Sequence, residues 1–490
     1  MRRRESGPAH RLRIVLALLV LAGGALRAAS PPSVDLDLLN GAINAQVRRA
    51  LGVAPRLAVM VADLATGAPI YSYDAREPRI PASNTKLFTT SAVLDALGPG
   101  YVFETPLLAR GRVEGGVLHG DLAVVGAGDP TISERFTGDA YSAFRPWAAA
   151  LRDRGIERVE GDLLLVDGFF ESREIHPDWP TDQLSDWYEA PIAALSFNDN
   201  CVWVQVSPTA GGSARVDVLP HLGLISVQNL TRVSGSRRHH HVVVTRAPGS
   251  SRIEVRGSVY RGSDPLNAWV TVPDPVAYFG AALADALGQE GVELDGRPRA
   301  VEHLPVGAWE RIAAHRTSLL TAIEVANKRS QNFYAETLLK TLGAESCGDG
   351  SWHGGLEAVA EFLEGVGIEP GSYRMVDGSG MSRSNHFTAD QVVRLLRHMY
   401  YHRWGGVLVH SLPASGEEGA SLEKRLTEDP YRGNVFAKTG TLTGVSALSG
   451  YARGRSGRLY VFSILANRTH SAWEARRAQD SIVRAIVDHG

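Results

Sequence analysis

Two textures alternate along the chain, apolar residues spaced three to four apart as in helices and short every-other-residue runs as in strands. A helical pattern covers 37–51. Strand patterns follow over 56–62 and 69–73, joined by the turn residues Ala65-Thr66-Gly67. The next helix carries Leu87, Leu94 and Leu97 on one face and stops at Gly98-Pro99-Gly100. From 101 to 273 the runs become short and alternating (LLLVDG, RVDVLP, HVVVTR, AWVTVPD), broken by Gly, Pro, Asp and Ser, which predicts a mostly β region. Helical spacing returns over 275–287 and dominates up to the strands VFAKTG and RLYVFSILA near the C-terminus. The simplest organisation is one helix-rich domain, 33–102 with 275–490, interrupted by a β-rich insertion over 103–274 in two subdomains.

A length of 490 residues agrees with more than one core. Charge narrows the partners. With 51 basic against 53 acidic side chains and a net charge of −2, the chain lacks the footprint for nucleic acid or an anionic membrane surface, and a small or neutral ligand is expected. Arg2, Arg3, Arg4, Arg11 and Arg13 precede the apolar run 14–22, and small residues follow at Ala28, Ala29 and Ser30. That is the pattern of a cleaved export signal over 1–30, too short to span a bilayer as a stable anchor, and Arg27 leaves the cut position open. The two cysteines, Cys201 and Cys347, read as unrelated thiols; neither they nor the run Arg237-Arg238-His239-His240-His241 has ligand spacing for a metal.

Ser83 and Lys86 lie one helical turn apart. Ser-x-x-Lys recurs at Ser421 and Lys424, so neighbouring motifs have to choose between them. Ser-x-x-Lys, Ser-x-Asn and Lys-Thr-Gly together are the signature of penicillin-interacting serine enzymes. Lys438-Thr439-Gly440 is the one Lys-[Ser/Thr]-Gly in the chain. Ser330-Gln331-Asn332 falls between two helical patterns, where a loop can enter a cleft, whereas Ser196-Phe197-Asn198 lies in the β region. No Ser-x-Asn separates Ser421 from Lys438, and Ser421 reads as a helix start after Gly419. Only 5 of the 51 basic residues are lysine. Arginine keeps its proton near neutral pH, but a desolvated lysine near other cations can give it up and serve as a base. Ser83 is thus the expected nucleophile and Lys86 its base. Ser330 is the proton relay to the leaving nitrogen, Asn332 the ligand of the substrate amide, and Lys438 with Thr439 the carboxylate grip. Gly440 lets a substrate backbone approach, and the N–H groups of Ser83 and Thr441 form the oxyanion hole.

With VVGAGDPTI at 124–132, YEAPIAALSFNDN at 188–200, DGSGMSR at 377–383 and the long gap from Ser83 to Ser330, the chain resembles the D-alanyl-D-alanine carboxypeptidase/endopeptidase family of low-molecular-weight class C penicillin-binding proteins, peptidase family S13. The resemblance implies an α+β fold of the serine β-lactamase/DD-transpeptidase type, an antiparallel sheet flanked by helices and split after the nucleophile helix. It implies peptidoglycan stem peptides as substrate, β-lactams as covalent inhibitors, no cofactor and a periplasmic location. It also implies a pocket for a diaminopimelate side chain, for which Asp182 and Arg383 have the right charges, with Trp179 and Tyr188 as walls and Thr443 beside them. A β-lactamase would need a deacylating carboxylate, and no Glu-x-x-Leu-Asn stretch follows Ser83. A serine esterase would not need the long insertion, and a non-enzymatic wall-binding protein would be expected to have lost a motif.

Overall fold

The computed structural model describes residues 34–490; the expected export signal over 1–30 lies outside the described residues. At the centre is a five-stranded sheet in the order Val435–Leu442, Val445–Arg453, Leu459–Asn467, Arg56–Asp63, Pro69–Tyr73, with every neighbouring pair antiparallel. Both faces are covered, so the alternation of strand side chains feeds two cores. On Arg56–Asp63, Leu57, Val59 and Val61 pack against the terminal helices Leu36–Ala50 and Ala472–His489. Ala58, Met60 and Ala62 face the opposite layer, built from the helices Thr85–Leu97, Leu319–Lys328, Asn332–Cys347, Trp352–Val366 and Ala389–Tyr401. Val435–Leu442 is the sheet edge. Its Val435 and Ala437 enter the first core, which turns Phe436 and Lys438 to the layer that carries Lys86.

The strands between Val102 and Ser318 form a seven-stranded mixed sheet and two three-stranded sheets. Most of their buried apolar side chains share one cluster, which reaches past 274. The helix Pro275–Gln289 buries Phe279, Ala282, Leu283 and Leu287 in that cluster, and strand Glu310–Ser318 pairs antiparallel with Val102–Glu114. From Leu319 the packing is with the helical layer, which Phe103, Phe170, Trp179 and Ile192 also join. A periodic apolar face predicts the helix but not the core it joins. Cys201 is buried, Cys347 is exposed, and both are free thiols. Among the described residues no helix is long and apolar enough to cross a membrane, and no group of three His, Cys, Asp or Glu could hold a metal.

Candidate active site

Ser83 lies in a 3-10 turn, Ala82–Asn84, immediately ahead of the helix Thr85–Leu97 rather than inside it. Ala82 has φ 48°, a left-handed conformation that costs a non-glycine residue about 1–2 kcal/mol. Two glycine backbones fit against this turn. A Cβ on Gly380 would stand 1.9 Å from the Ala82 carbonyl oxygen, and one on Gly440 would stand 2.9 Å from Pro81 O and 3.1 Å from Ser83 N. Gly440 therefore makes room first for the nucleophile's own turn. It brings the edge strand against Ser83 N–H, where that group and Thr441 N–H can face one carbonyl oxygen.

From Thr85 to Leu94 the helix is buried all round, so Lys86 has no route to solvent. Its Nζ donates to Asn332 Oδ1 at 2.7 Å and to the Ser379 carbonyl at 2.8 Å. Burial pushes the Lys86 ammonium down to about 7, against the upward pull of Glu336 and Asp377. Ser330 occupies the loop between Leu319–Lys328 and Asn332–Cys347, also left-handed at φ 59°. Strained backbone thus sits at both motif serines, as active sites commonly have it. Lys438, likewise fully buried, donates to Ser330 Oγ at 2.7 Å and to Thr439 O at 2.8 Å. Desolvation first, and then the neighbouring Lys86, hold its ammonium well below the usual lysine range. The structure gathers Ser83, Lys86, Ser330, Asn332, Lys438, Thr439 and Gly440 into one place. Chemically, the cluster can draw a proton from a hydroxyl, pass one to a leaving group and hold an anionic oxygen.

Several members carried no recognisable signal in the sequence. Glu336, one turn beyond Asn332, is buried and accepts from Ser379 N at 2.6 Å, Gly378 N at 2.9 Å and Trp352 Nε1 at 2.8 Å. It thereby fixes the loop whose Ser379 carbonyl receives Lys86. Burial, with Asp377 adding to it, raises Glu336 to about 7. Asp377 in turn accepts from Gly380 N, Ser382 N, Asn385 Nδ2 and Trp179 Nε1. Ser421 is not a helix start: it lies in a turn, and its Oγ accepts from Thr439 Oγ1 at 2.9 Å. The Ser-x-Asn asparagine also has partners within the protein. Asn332 Oδ1 accepts from Lys86, and Nδ2 donates to the Tyr188 carbonyl at 2.8 Å and to Met381 Sδ at 3.8 Å.

The residues expected around a side-chain pocket are less closely assembled. Arg383 is exposed and donates to the Thr443 carbonyl at 2.9 Å, Asp182 is exposed, and no ion pair joins the two. Trp179 is a core residue, edge-on to Trp352 with centroids 6.0 Å apart. Tyr188 donates its hydroxyl to Asp186 Oδ2 at 2.6 Å. Beside it Glu189 is buried with neither carboxylate oxygen partnered, and burial, then Asp186 and Asp182, push it up to about 8.

A pH dependence follows from Lys86. The rate of serine acylation is expected to rise as pH climbs through about 7, because the active base is the neutral amine and protonation below that point removes it. Glu336→Gln removes the carboxylate that pulls Lys86 upward more than Asp377 does, so the rising limb should move to lower pH. It should also destabilise by roughly 1–3 kcal/mol, since an amide turns a donor toward three donors. Stopped-flow acylation by a chromogenic β-lactam measures the limb; an unmoved limb in Glu336→Gln would separate Glu336 from Lys86.

The chain matches the family model for the D-Ala-D-Ala carboxypeptidase 3 (S13) family over residues 44–488. It is 36% identical over 452 residues to a D-alanyl-D-alanine carboxypeptidase of Actinomadura sp. strain R39, covering 88% of this chain and 81% of that one. It is 28% identical over 401 residues to the D-alanyl-D-alanine carboxypeptidase DacB of Haemophilus influenzae, covering 80% and 81%. The crystal structure of penicillin binding protein 4 from H. influenzae superposes with a TM-score of 0.77 at 25% identity, over 89% of this chain and 99% of that one. With the motif serines and lysines converging on one strained, buried site and the match running almost end to end, the chain belongs to the D-Ala-D-Ala carboxypeptidase 3 (S13) family of serine peptidases.

Proposed function

We propose that this enzyme cleaves the D-alanyl end or D-alanyl cross-link of peptidoglycan stem peptides through an acyl-enzyme on Ser83. The observation that carries this reading is the pair of buried lysines, Lys86 and Lys438, each depressed by desolvation and each one hydrogen bond from a partner in the Ser-x-Asn motif. Neutral Lys86 takes the proton of Ser83 Oγ as that oxygen bonds to the D-alanyl carbonyl carbon. The carbonyl oxygen becomes anionic against Ser83 N–H and Thr441 N–H. As the C–N bond breaks, the Ser330 hydroxyl, held by Lys438, hands a proton to the leaving amine and is restored by the proton that Lys86 took from Ser83; water then cleaves the ester, giving the free acid and the Ser83 hydroxyl. The outer edge of Val435–Leu442 can take the substrate as an added strand, with Thr439 and Lys438 toward its carboxylate. On this reading the catalytic part comprises 34–101 and 319–490, with the insertion between. Release of D-alanine from an acetylated stem peptide tests the activity, and its absence in a protein that still acylates with penicillin would overturn it.

For the substrate's side chain, Asp182 remains the proposed partner of a diaminopimelate ammonium, with Asp186 also acting on the neighbouring Glu189, and Arg383 the partner of its carboxylate. Removing one partner of a charge pair leaves the other unpaired, so discrimination falls. Arg383→Ala should lower kcat/KM for a diaminopimelate stem peptide severalfold more than for acetylated D-Ala-D-Ala. Equal losses would move Arg383 to the chemistry, and no loss would return it to the surface. The arginine-rich, then apolar, first thirty residues support export to the periplasm. N-terminal sequencing of the mature protein should begin near residue 31; an intact Met1 would overturn cleavage.

A further inference from the structure

On the insertion side of the reactive loop lies a second cavity of about 330 Å³, walled by Trp187, Trp269, Arg135, Asp199, Arg329 and Gln331. Arg329 and Gln331 are the chain neighbours of Ser330, and Trp187 precedes Tyr188, whose carbonyl holds Asn332. The cavity therefore borders the active site along two separate chain segments. Its volume is at the lower end of the range for small-molecule sites, about 300–1,000 Å³.

The two indoles are 42% and 39% exposed. A bridge between Asp186 and Val270, with Thr271 N donating to Ser185 O, sets Trp187 and Trp269 side by side. Two exposed tryptophans on one wall are a large apolar surface left to water, which in soluble proteins marks a contact site. The rest of the lining is largely polar, and part of it is built at conformational cost. Asn198, Asp199 and Asn200 take φ of 52°, 56° and 52°, three successive left-handed residues without a glycine. That turn directs Asp199 to Arg135 and to the Tyr334 hydroxyl, while Arg135 Nε is buried with no acceptor among the described residues.

Flat apolar plates facing a planar guanidinium, a carboxylate and an amide suit a pyranose ring. The C–H face of such a ring lies on an indole while its hydroxyl and acetamido groups exchange hydrogen bonds with paired planar donors and acceptors. Glu134 and Asp199 balance Arg135 and Arg329 in the lining, which suits a neutral ligand. We propose that this cavity is a saccharide subsite, holding an N-acetylated hexosamine of the glycan that bears the stem peptide. The proposal rests on the peptidoglycan reading above for the identity of the glycan, but sugar binding itself is measured separately.

Two measurements test it. In the first, kcat/KM is compared for one stem peptide with and without its N-acetylated disaccharide. Wild type should favour the sugar-bearing form roughly tenfold. Trp269→Ala should abolish that preference through KM, and Trp269→Phe should restore most of it. No preference in wild type, or an equal loss on the sugar-free peptide, would overturn the subsite; a loss confined to a sugar-free cross-linked peptide dimer would assign the groove to a second peptide strand instead. In the second, tryptophan fluorescence is titrated with an N-acetylglucosamine tetramer, and the response should disappear in Trp269→Ala. This readout survives failure of the peptidase reading, and an unresponsive wild type would overturn saccharide binding on its own.

Discussion

Ser83→Ala is expected to abolish the penicillin adduct that intact-mass measurement finds on the wild-type protein, with acylation falling on the order of 10⁶-fold, the scale seen when an acyl-transfer serine is removed. The test discriminates because three hydroxyls crowd the site. Ser330 Oγ lies 2.7 Å from Lys438 Nζ, and Ser421 Oγ lies 2.9 Å from Thr439 Oγ1. Ser83 alone lies one turn before Lys86 and has its own N–H beside the edge strand. An adduct that persists on Ser330 or Ser421 would overturn the assignment. The wild-type adduct should be long-lived. Rapid deacylation needs a carboxylate free to activate water, and the buried Glu336 spends its oxygens on Gly378, Ser379 and Trp352.

Lys86→Arg should leave Ser83 in place yet slow acylation by about 10²- to 10⁴-fold, the usual value of a general base. Charge is conserved in this variant but basicity is not, because a guanidinium does not release its proton at neutral pH. Lys438 cannot compensate while its Nζ is held by Ser330 Oγ and Thr439 O. Because arginine is also bulkier than a site with no solvent access allows, Lys86→Met serves as the control. It fills the same volume without charge, should remain folded by thermal melt, and should lose acylation to a similar extent. Near-normal acylation in Lys86→Arg would transfer the base role to Lys438 acting through Ser330.

Much of this was legible in the chain. Ser83 with Lys86, Ser330 with Asn332, and Lys438-Thr439-Gly440 could be read because the chemistry demands those side chains at fixed local spacings, and local spacing survives in a sequence. The helix stop at Gly98 and the strands at 56 and 69 were legible for the same reason. Strand Val445–Arg453 escaped notice because both of its faces are buried, which erases the alternation that betrays a half-exposed strand. Lysine scarcity pointed the right way without being specific. Lys340 is as buried as Lys86, but stands 3.7 Å over the Trp352 ring and donates to Arg173 O, away from the serines.

The sequence by itself pointed to Ser83 as the proposed nucleophile, to the two motif lysines, to the family resemblance and to a β-rich middle region. Only the tertiary structure decided that the packing of that region reaches past 274, that Glu336 braces the loop receiving Lys86, and that Trp187 and Trp269 share a wall beside Ser330. Each of these depends on contacts between distant segments, several through backbone carbonyls and N–H groups that every residue possesses. Side-chain identity records what a position must do chemically. Which distant backbone it meets, and how far from water it comes to rest, is set by packing, and it is that desolvation which lowers the Lys86 ammonium to about 7.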